Sequence, residues 1–116
     1  MTSVTITDIA STLGCPTVRD SRVITTLLTD SRALTFPEGT LFFALVTQKQ
    51  DGHRYIKPLY SRGVRAFVIS DRHFPTDEFR DASFIVVPDT LAALQQVGSL
   101  HRHRLSMPVV LSLIHI

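Results

Sequence analysis

The sequence predicts an α/β fold, a three-layer domain with a mostly parallel sheet. Two observations carry that expectation: short apolar runs of strand length recur along the chain, and segments of helical periodicity lie between and after them. A third sets the scale. At 116 residues, 44% hydrophobic and 19% charged, the chain has room for one core of ordinary globular composition.

Taken in order, Thr7 is placed to cap a short helix with Ile9 and Leu13 on one face, and Gly14 supplies a left-handed stop. Residues 23–28, rich in β-branched and apolar types, read as a strand that ends at the polar group Thr29-Asp30-Ser31-Arg32. Phe36-Pro37-Glu38-Gly39 is a turn by composition, and residues 41–46 form a run expected of a strand buried on both faces. After the polar loop 47–52, a helix is expected from about His53 to Arg62, with Ile56, Leu59 and Tyr60 on one face. Pro58 lies near its first turn or bends it, and Gly63 closes it. Residues 66–69 and 84–87 read as two further buried strands, separated by the charged loop 70–83. Asp89 or Thr90 then caps a longer helix in which Leu91, Leu94, Val97 and Leu100 recur at helical spacing, up to Arg104 and the break at Pro108. Val109 onward reads as another strand.

Charge and cysteine usage narrow the function classes. Twelve basic residues oppose ten acidic ones, a surplus too small to imply a nucleic-acid partner. Ten of the twelve are arginine, which favours bidentate contacts to phosphate or carboxylate. Cys15 is the single cysteine, so no internal disulfide forms, and the N-terminal residues read as neither a signal peptide nor a membrane span. A cytoplasmic location and no membrane insertion are the resulting expectations.

Two groups offer binding chemistry. Thr29-Asp30-Ser31-Arg32 stands at the C-terminal end of a strand, where open α/β sheets place ligands, and supplies two hydroxyls, a carboxylate and a guanidinium. Asp51-Gly52-His53 combines a glycine expected at positive φ with a histidine at a helix start. Each also reads, taken alone, as a capped turn with no ligand. His101-Arg102-His103-Arg104 suggests a metal or phosphate site, but residues two apart on a helix point about 200° apart, so a solvated helix end is the better account. No catalytic nucleophile with a paired base, no G-x-x-x-x-G-K-[ST] loop and no metal-ligand spacing stands out. The residues alone give a binding domain, without catalytic or metal-binding groups.

The order of these pieces resembles a family. Thr-Asp-Ser-Arg at 29–32, Phe-Pro-Glu-Gly-Thr-Leu-Phe-Phe-Ala-Leu at 36–45, Asp-Gly-His-Arg-Tyr-Ile at 51–56, Arg-Gly-Val-Arg-Ala-Phe-Val-Ile at 62–69 and Pro-Asp-Thr-Leu-Ala-Ala-Leu-Gln at 88–95 are similar to the N-terminal domain of Mur ligases. Within that family the chain most resembles ligases that add D-alanyl-D-alanine to UDP-N-acetylmuramoyl-tripeptide in peptidoglycan biosynthesis, in the form fused to an alanine racemase.

The resemblance implies a domain, residues 1–108, that binds the UDP-muramoyl substrate. Thr29 and Ser31 would contact the uridine part, Gln48, Lys49 and Gln50 would meet uracil, ribose or diphosphate, and Lys49 or Arg32 would offset phosphate charge. Asp30, Asp51, Gly52 and His53 would shape the loops. The resemblance also implies ATP and Mg2+ for an intact ligase, pyridoxal phosphate if a racemase domain follows, and the remaining ligase domains as partners in cis. No cofactor is expected on these residues.

The sequence departs from the family after Val110. There a Gly-Lys-Thr phosphate loop is expected, and Leu111-Ser112-Leu113-Ile114-His115-Ile116 stands instead. Residues 109–116 thus read as a truncated start of an ATP-binding domain, with 111–116 a non-native tail resembling translated adapter read-through; a native apolar strand is the alternative. Two other functional readings stay open. One is the ligase adding the third amino acid, which carries the same Asp-Ser-Arg and Asp-Gly-His patterns. The other is a self-contained α/β module for a different nucleotide or anion.

Overall fold

The computed structural model describes residues 4–101 and Leu105. Arg102, His103, Arg104, the strand expected from Val109 and the tail 111–116 lie outside the described residues.

A four-stranded parallel sheet forms the centre. Its strands are β3 (Thr26–Leu28), β4 (Thr40–Phe43), β5 (Ala66–Ile69) and β6 (Ser83–Val86), side by side in sequence order. Three helices flank it: α1 (Ile6–Thr12), α2 (Ile56–Ser61) and α3 (Thr90–His101). Two short strands, β1 (Val4–Thr5) and β2 (Val23–Ile24), pair antiparallel beside it. The α/β three-layer architecture is therefore present, with the sheet wholly parallel at its centre.

The sequential strand order decides where the layers go. Crossovers of one hand between parallel neighbours taken in order all pass over the same face of the sheet. Leu34 from the first crossover, Ile56 and Leu59 from the second, and Phe74 and Phe79 from the third accordingly share one apolar cluster with Leu28, Phe42 and Phe67. The opposite face is left for elements outside the run. There α1, which precedes β3, and α3, which follows β6, cover Leu27, Leu41, Phe43, Val68 and Ile85. Gln96 of α3 donates to the Thr12 carbonyl at 2.8 Å, joining the two helices. Alternation along β4 and β5 sends Leu41, Phe43 and Val68 to one face and Phe42 and Phe67 to the other, and all are fully buried.

Local chemistry moves several boundaries. Thr5, not Thr7, caps α1: its side chain accepts from the Asp8 N–H at 3.2 Å, and the Asp8 carboxylate accepts from the Thr5 N–H at 3.0 Å. The Thr7 hydroxyl instead donates to the Asp20 carbonyl. Residues 23–28 are two strands in two sheets, because the Thr25 N–H turns to the Gly39 carbonyl at 2.8 Å and breaks the run. β4 stops at Phe43, after which the chain folds into the hairpin closed by Val46 and Asp51.

The helix expected from His53 begins as a 3-10 turn over Gly52–Tyr55 and continues as α2, with Pro58 inside the first α-helical turn, where its missing N–H costs little. Gly14 and Gly63 end their helices at φ 78° and 109°. β6 is an edge strand and is buried only in part, with Val86 exposed, unlike the expectation for 84–87. On α3, Asp89 is the cap, accepting from the Leu91 and Ala92 N–H groups. Its buried stripe is Thr90, Ala93, Leu94, Val97 and Gly98, so Leu91 and Leu100 face outward despite their helical spacing. No described helix is long and apolar enough to cross a membrane.

Candidate functional site

The C-terminal ends of β3 and β4 lie in register, Leu28 beside Phe42. Beyond them opens a pocket of about 340 Å3 lined by Thr29, Asp30, Ser31, Arg32, Gln50 and Tyr55. Open parallel sheets bind ligands at this end because the loops that follow the strands converge there.

Each wall has a local cause. Asp30 caps a 3-10 turn over Ser31–Ala33 by accepting from the Arg32 N–H at 2.9 Å. The Arg32 side chain folds back on the same carboxylate, with Nε 3.1 Å from Oδ1 and Nη2 3.0 Å from Oδ2. That bond from the guanidinium, reinforced by the backbone N–H, holds the Asp30 carboxyl below its ordinary range, and Arg32 is held above its own by the same contact. The pair is exposed, Arg32 at 89%, so the guanidinium is open to solvent beside the pocket.

The opposite wall is the hairpin 46–51. Thr47 organises its tip, its N–H donating to the Gln50 carbonyl at 2.7 Å and its hydroxyl accepting from the Lys49 and Gln50 N–H groups. This brings Gln50 to the pocket; Gln48 and Lys49 sit on the exposed tip beside it and are not among the lining residues.

The hairpin rests on Asp51-Gly52-His53. Asp51 caps the next 3-10 turn through the His53 N–H at 2.9 Å, and Gly52 donates to the Leu45 carbonyl at 2.7 Å. Gly52 is not at positive φ, contrary to the sequence expectation. Glycine is required there by close approach, since a Cβ would lie 2.7 Å from the Leu45 nitrogen and 2.9 Å from the Ala44 backbone. The His53 backbone N–H is the main influence lowering the Asp51 carboxyl; partial burial opposes it and the imidazole adds to it.

Tyr55 was not singled out in the sequence, yet it lines the pocket. The available signal was an aromatic residue two positions after the Asp-Gly-His group, next to Ile56, and the structure packs it partly against the same cluster as Ile56 and Leu59. Arginines stand at two of the lining residues. Arg54 lies over the Tyr55 ring, 5.7 Å from its centroid, and Arg62 Nη1 donates to the Ser31 carbonyl at 3.2 Å. The hydroxyls, amide, phenol ring and guanidinium groups suit a polar, anionic, ring-bearing ligand. Of the distal basic group, the structure describes His101 alone, as the last residue of α3 and away from this pocket's lining. Among the described residues, no group of three or more His, Cys, Asp or Glu is placed to hold a metal ion.

No family model matches the chain. A curated relative does. Over 91 residues, 78% of this chain, it is 34% identical to UDP-N-acetylmuramoyl-tripeptide--D-alanyl-D-alanine ligase of Bacillus subtilis (strain 168). Over most of its length the chain is thus similar to a Mur ligase. It covers 19% of the length of that ligase.

Solved structures show the same fold. A crystal structure of MurF from Acinetobacter baumannii superposes with a TM-score of 0.69 at 22% identity, over 89% of this chain and 22% of that one. The UDP-N-acetylmuramoylalanyl-D-glutamyl-2,6-diaminopimelate--D-alanyl-D-alanyl ligase of the same organism gives 0.68 at 22% identity, with the same coverage. The α/β fold is thus that of the Mur ligase N-terminal domain.

Proposed function

We propose that the pocket beyond β3 and β4 anchors the uridine diphosphate part of a UDP-N-acetylmuramoyl peptide. The observation that carries the reading is the convergence of Thr29, Ser31 and Arg32 with Gln50 and Tyr55 in one pocket. In this reading the Thr29 and Ser31 hydroxyls and the Gln50 amide pair with the uracil edge or ribose, and Tyr55 offers a ring face. Arg32 and Lys49 offset the diphosphate charge, and Gln48 closes the rim from the hairpin tip. Asp30, Asp51, Gly52 and His53 hold the loops.

The reading extends to the larger protein. We propose that these residues serve as the substrate-binding domain, 1–108, of a cytoplasmic ATP-dependent ligase that adds D-alanyl-D-alanine to UDP-N-acetylmuramoyl-tripeptide. The similarity to a ligase of that name supports this step over the one that adds the third amino acid. ATP and Mg2+ are assigned elsewhere in this reading: the sequence lacks a G-x-x-x-x-G-K-[ST] loop, and among the described residues no group of three or more His, Cys, Asp or Glu is placed to hold a metal ion. Those groups belong to other ligase domains in cis, and an alanine racemase domain with pyridoxal phosphate belongs to the fused form.

NMR shift titration of the labelled chain with UDP-N-acetylmuramoyl-tripeptide tests the reading. Saturable shifts clustered at 29–32 and 47–55 are expected, with weak affinity in the micromolar to millimolar range, because part of the ligand stays in solvent. No saturation at millimolar ligand, or shifts centred on His101, would return the chain to an unassigned binding module.

A further inference from the structure

The imidazole of His53 is only 8% exposed, and both its nitrogens are engaged. Nδ1 lies 2.6 Å from the Asp51 carboxylate, while Nε2 lies 3.2 Å from the backbone nitrogens of both Ser70 and Asp71. A main-chain N–H only donates, so Nε2 must present its lone pair. An ionised carboxylate only accepts, so Nδ1 must carry the proton. Both ends demand the same species, the neutral imidazole protonated at Nδ1.

We propose that His53, in this one tautomer, is a positioning residue for the pocket: it fastens the hairpin that carries Gln50 to the chain leaving β5. The path is short and continuous. Gln50 is bonded to Thr47 within the hairpin, the hairpin is closed by Val46 and Asp51, and Gly52 anchors its base to Leu45. His53 then spans from Asp51 to the residues just after Ile69, and Phe74 packs 5.9 Å from its ring. The Asp71 carboxylate is turned to the His73 N–H, so it does not compete for the imidazole. Among the described residues, the lone pair of Nε2 is the acceptor for both the Ser70 and Asp71 N–H groups, and it holds two loops at a fixed separation. The effect on ligand affinity rests on the nucleotide reading of the pocket; the effect on the hairpin does not.

Two substitutions separate the two ends of the ring. His53→Gln places an amide oxygen near the position of Nε2 and keeps an acceptor for Ser70 and Asp71. His53→Asn places its amide near Nδ1 and leaves those N–H groups without one. In the 116-residue chain labelled at histidine, the 15N spectrum of His53 should show a protonated Nδ1 and a lone-pair Nε2. A protonated Nε2 in the folded protein would overturn the proposal. Without ligand, His53→Asn should shift the Gln50 amide and speed exchange at Ser70 and Asp71, and His53→Gln should restore both. With UDP-N-acetylmuramoyl-tripeptide, His53→Asn should weaken binding about ten-fold and His53→Gln should recover most of it. Unchanged Gln50 shifts in His53→Asn, or wild-type affinity in that variant, would sink the proposal. If His53→Asn does not fold, the tautomer and the Gln50 shift of His53→Gln decide. Absence of ligand binding in the wild type would defeat the nucleotide reading alone and leave the ligand-free comparison to judge the clasp.

Discussion

Asp30-Ser31-Arg32 and Asp51-Gly52-His53 follow one local plan. In each, an aspartate caps a 3-10 turn through the N–H two residues on, at 2.9 Å, and the side chain of that same residue then meets the carboxylate. Their surroundings differ. Arg32 ends its reach at Asp30 in solvent, whereas His53 continues past Asp51 to the backbone after β5 and is buried. The same turn chemistry thus leaves one tripeptide open to a ligand and makes the other a fastening between loops. Whether the third residue has a second partner decides between the two.

The largest expected effect falls on the fastened side. Gly52→Ala must displace the backbone of Ala44 and Leu45, which β4 and the core hold in place, and should cost about 3 kcal/mol, visible as a lowered Tm. A near-wild-type Tm would mean that the hairpin base is looser than its contacts indicate. Next comes Asp51→Ala, which removes a cap and strands a buried imidazole N–H; the cost should be about 2 kcal/mol. Asp30→Ala, its counterpart in the exposed turn, should destabilise less. Equal losses in urea unfolding would erase the contrast.

Acid should separate the two turns as well. Both carboxyls sit below their ordinary value in the folded protein, so the stability they contribute is present above the unfolded value of about 4 and is lost as pH falls through the lower folded value. Asp30 owes its shift first to an exposed guanidinium, and Asp51 first to a backbone N–H. Concentrated salt should therefore flatten the acid dependence removed by Asp30→Asn more than that removed by Asp51→Asn. Chemical denaturation between about pH 5 and pH 2, at low and high salt, measures this. Asp20 contributes in the same direction: burial, its largest single influence, pushes the carboxyl up but is outweighed by bonds from Arg22 and Ser83.

The smallest effects fall on the open side and touch binding alone. Ser31→Ala should cost about 1 kcal/mol of ligand affinity, roughly five-fold, with Tm unchanged. Lys49→Ala should weaken binding mainly at low salt, because an exposed ammonium acts through a screened charge. Titration calorimetry at two salt concentrations checks both, and a large loss of stability in either variant would place that residue with the fastened group.

The layers were legible in the sequence because β-strand and helix periods are set by which side chains reach the core. Leu41 to Phe43 and Ala66 to Ile69 are apolar at every position, as a strand covered on both faces requires. The break at Thr25 was not legible, since it depends on the Gly39 carbonyl fourteen residues away. Nor was the outward turn of Leu91 and Leu100, because helical spacing gives a stripe but not which of two overlapping stripes meets the sheet. At the pocket, Thr29, Ser31, Arg32 and Gln50 were within reach of motif and resemblance. Tyr55 was not, and neither was the role of Gly52, because a close backbone approach is a tertiary fact that a turn-like composition does not encode.

The placement of α1 and α3 on the face that no crossover reaches has a kinetic consequence. During synthesis α1 emerges first, but its partner on α3 lies 84 residues later in the Thr12–Gln96 contact. At ribosomal speeds of about 5–20 residues per second, that face waits roughly 4–17 s after Thr12 for the α3 half of its cover. The other face is covered progressively, each crossover arriving just before the strand it serves. The nascent chain therefore completes its two faces at different times, the Leu41, Phe43 and Val68 side last.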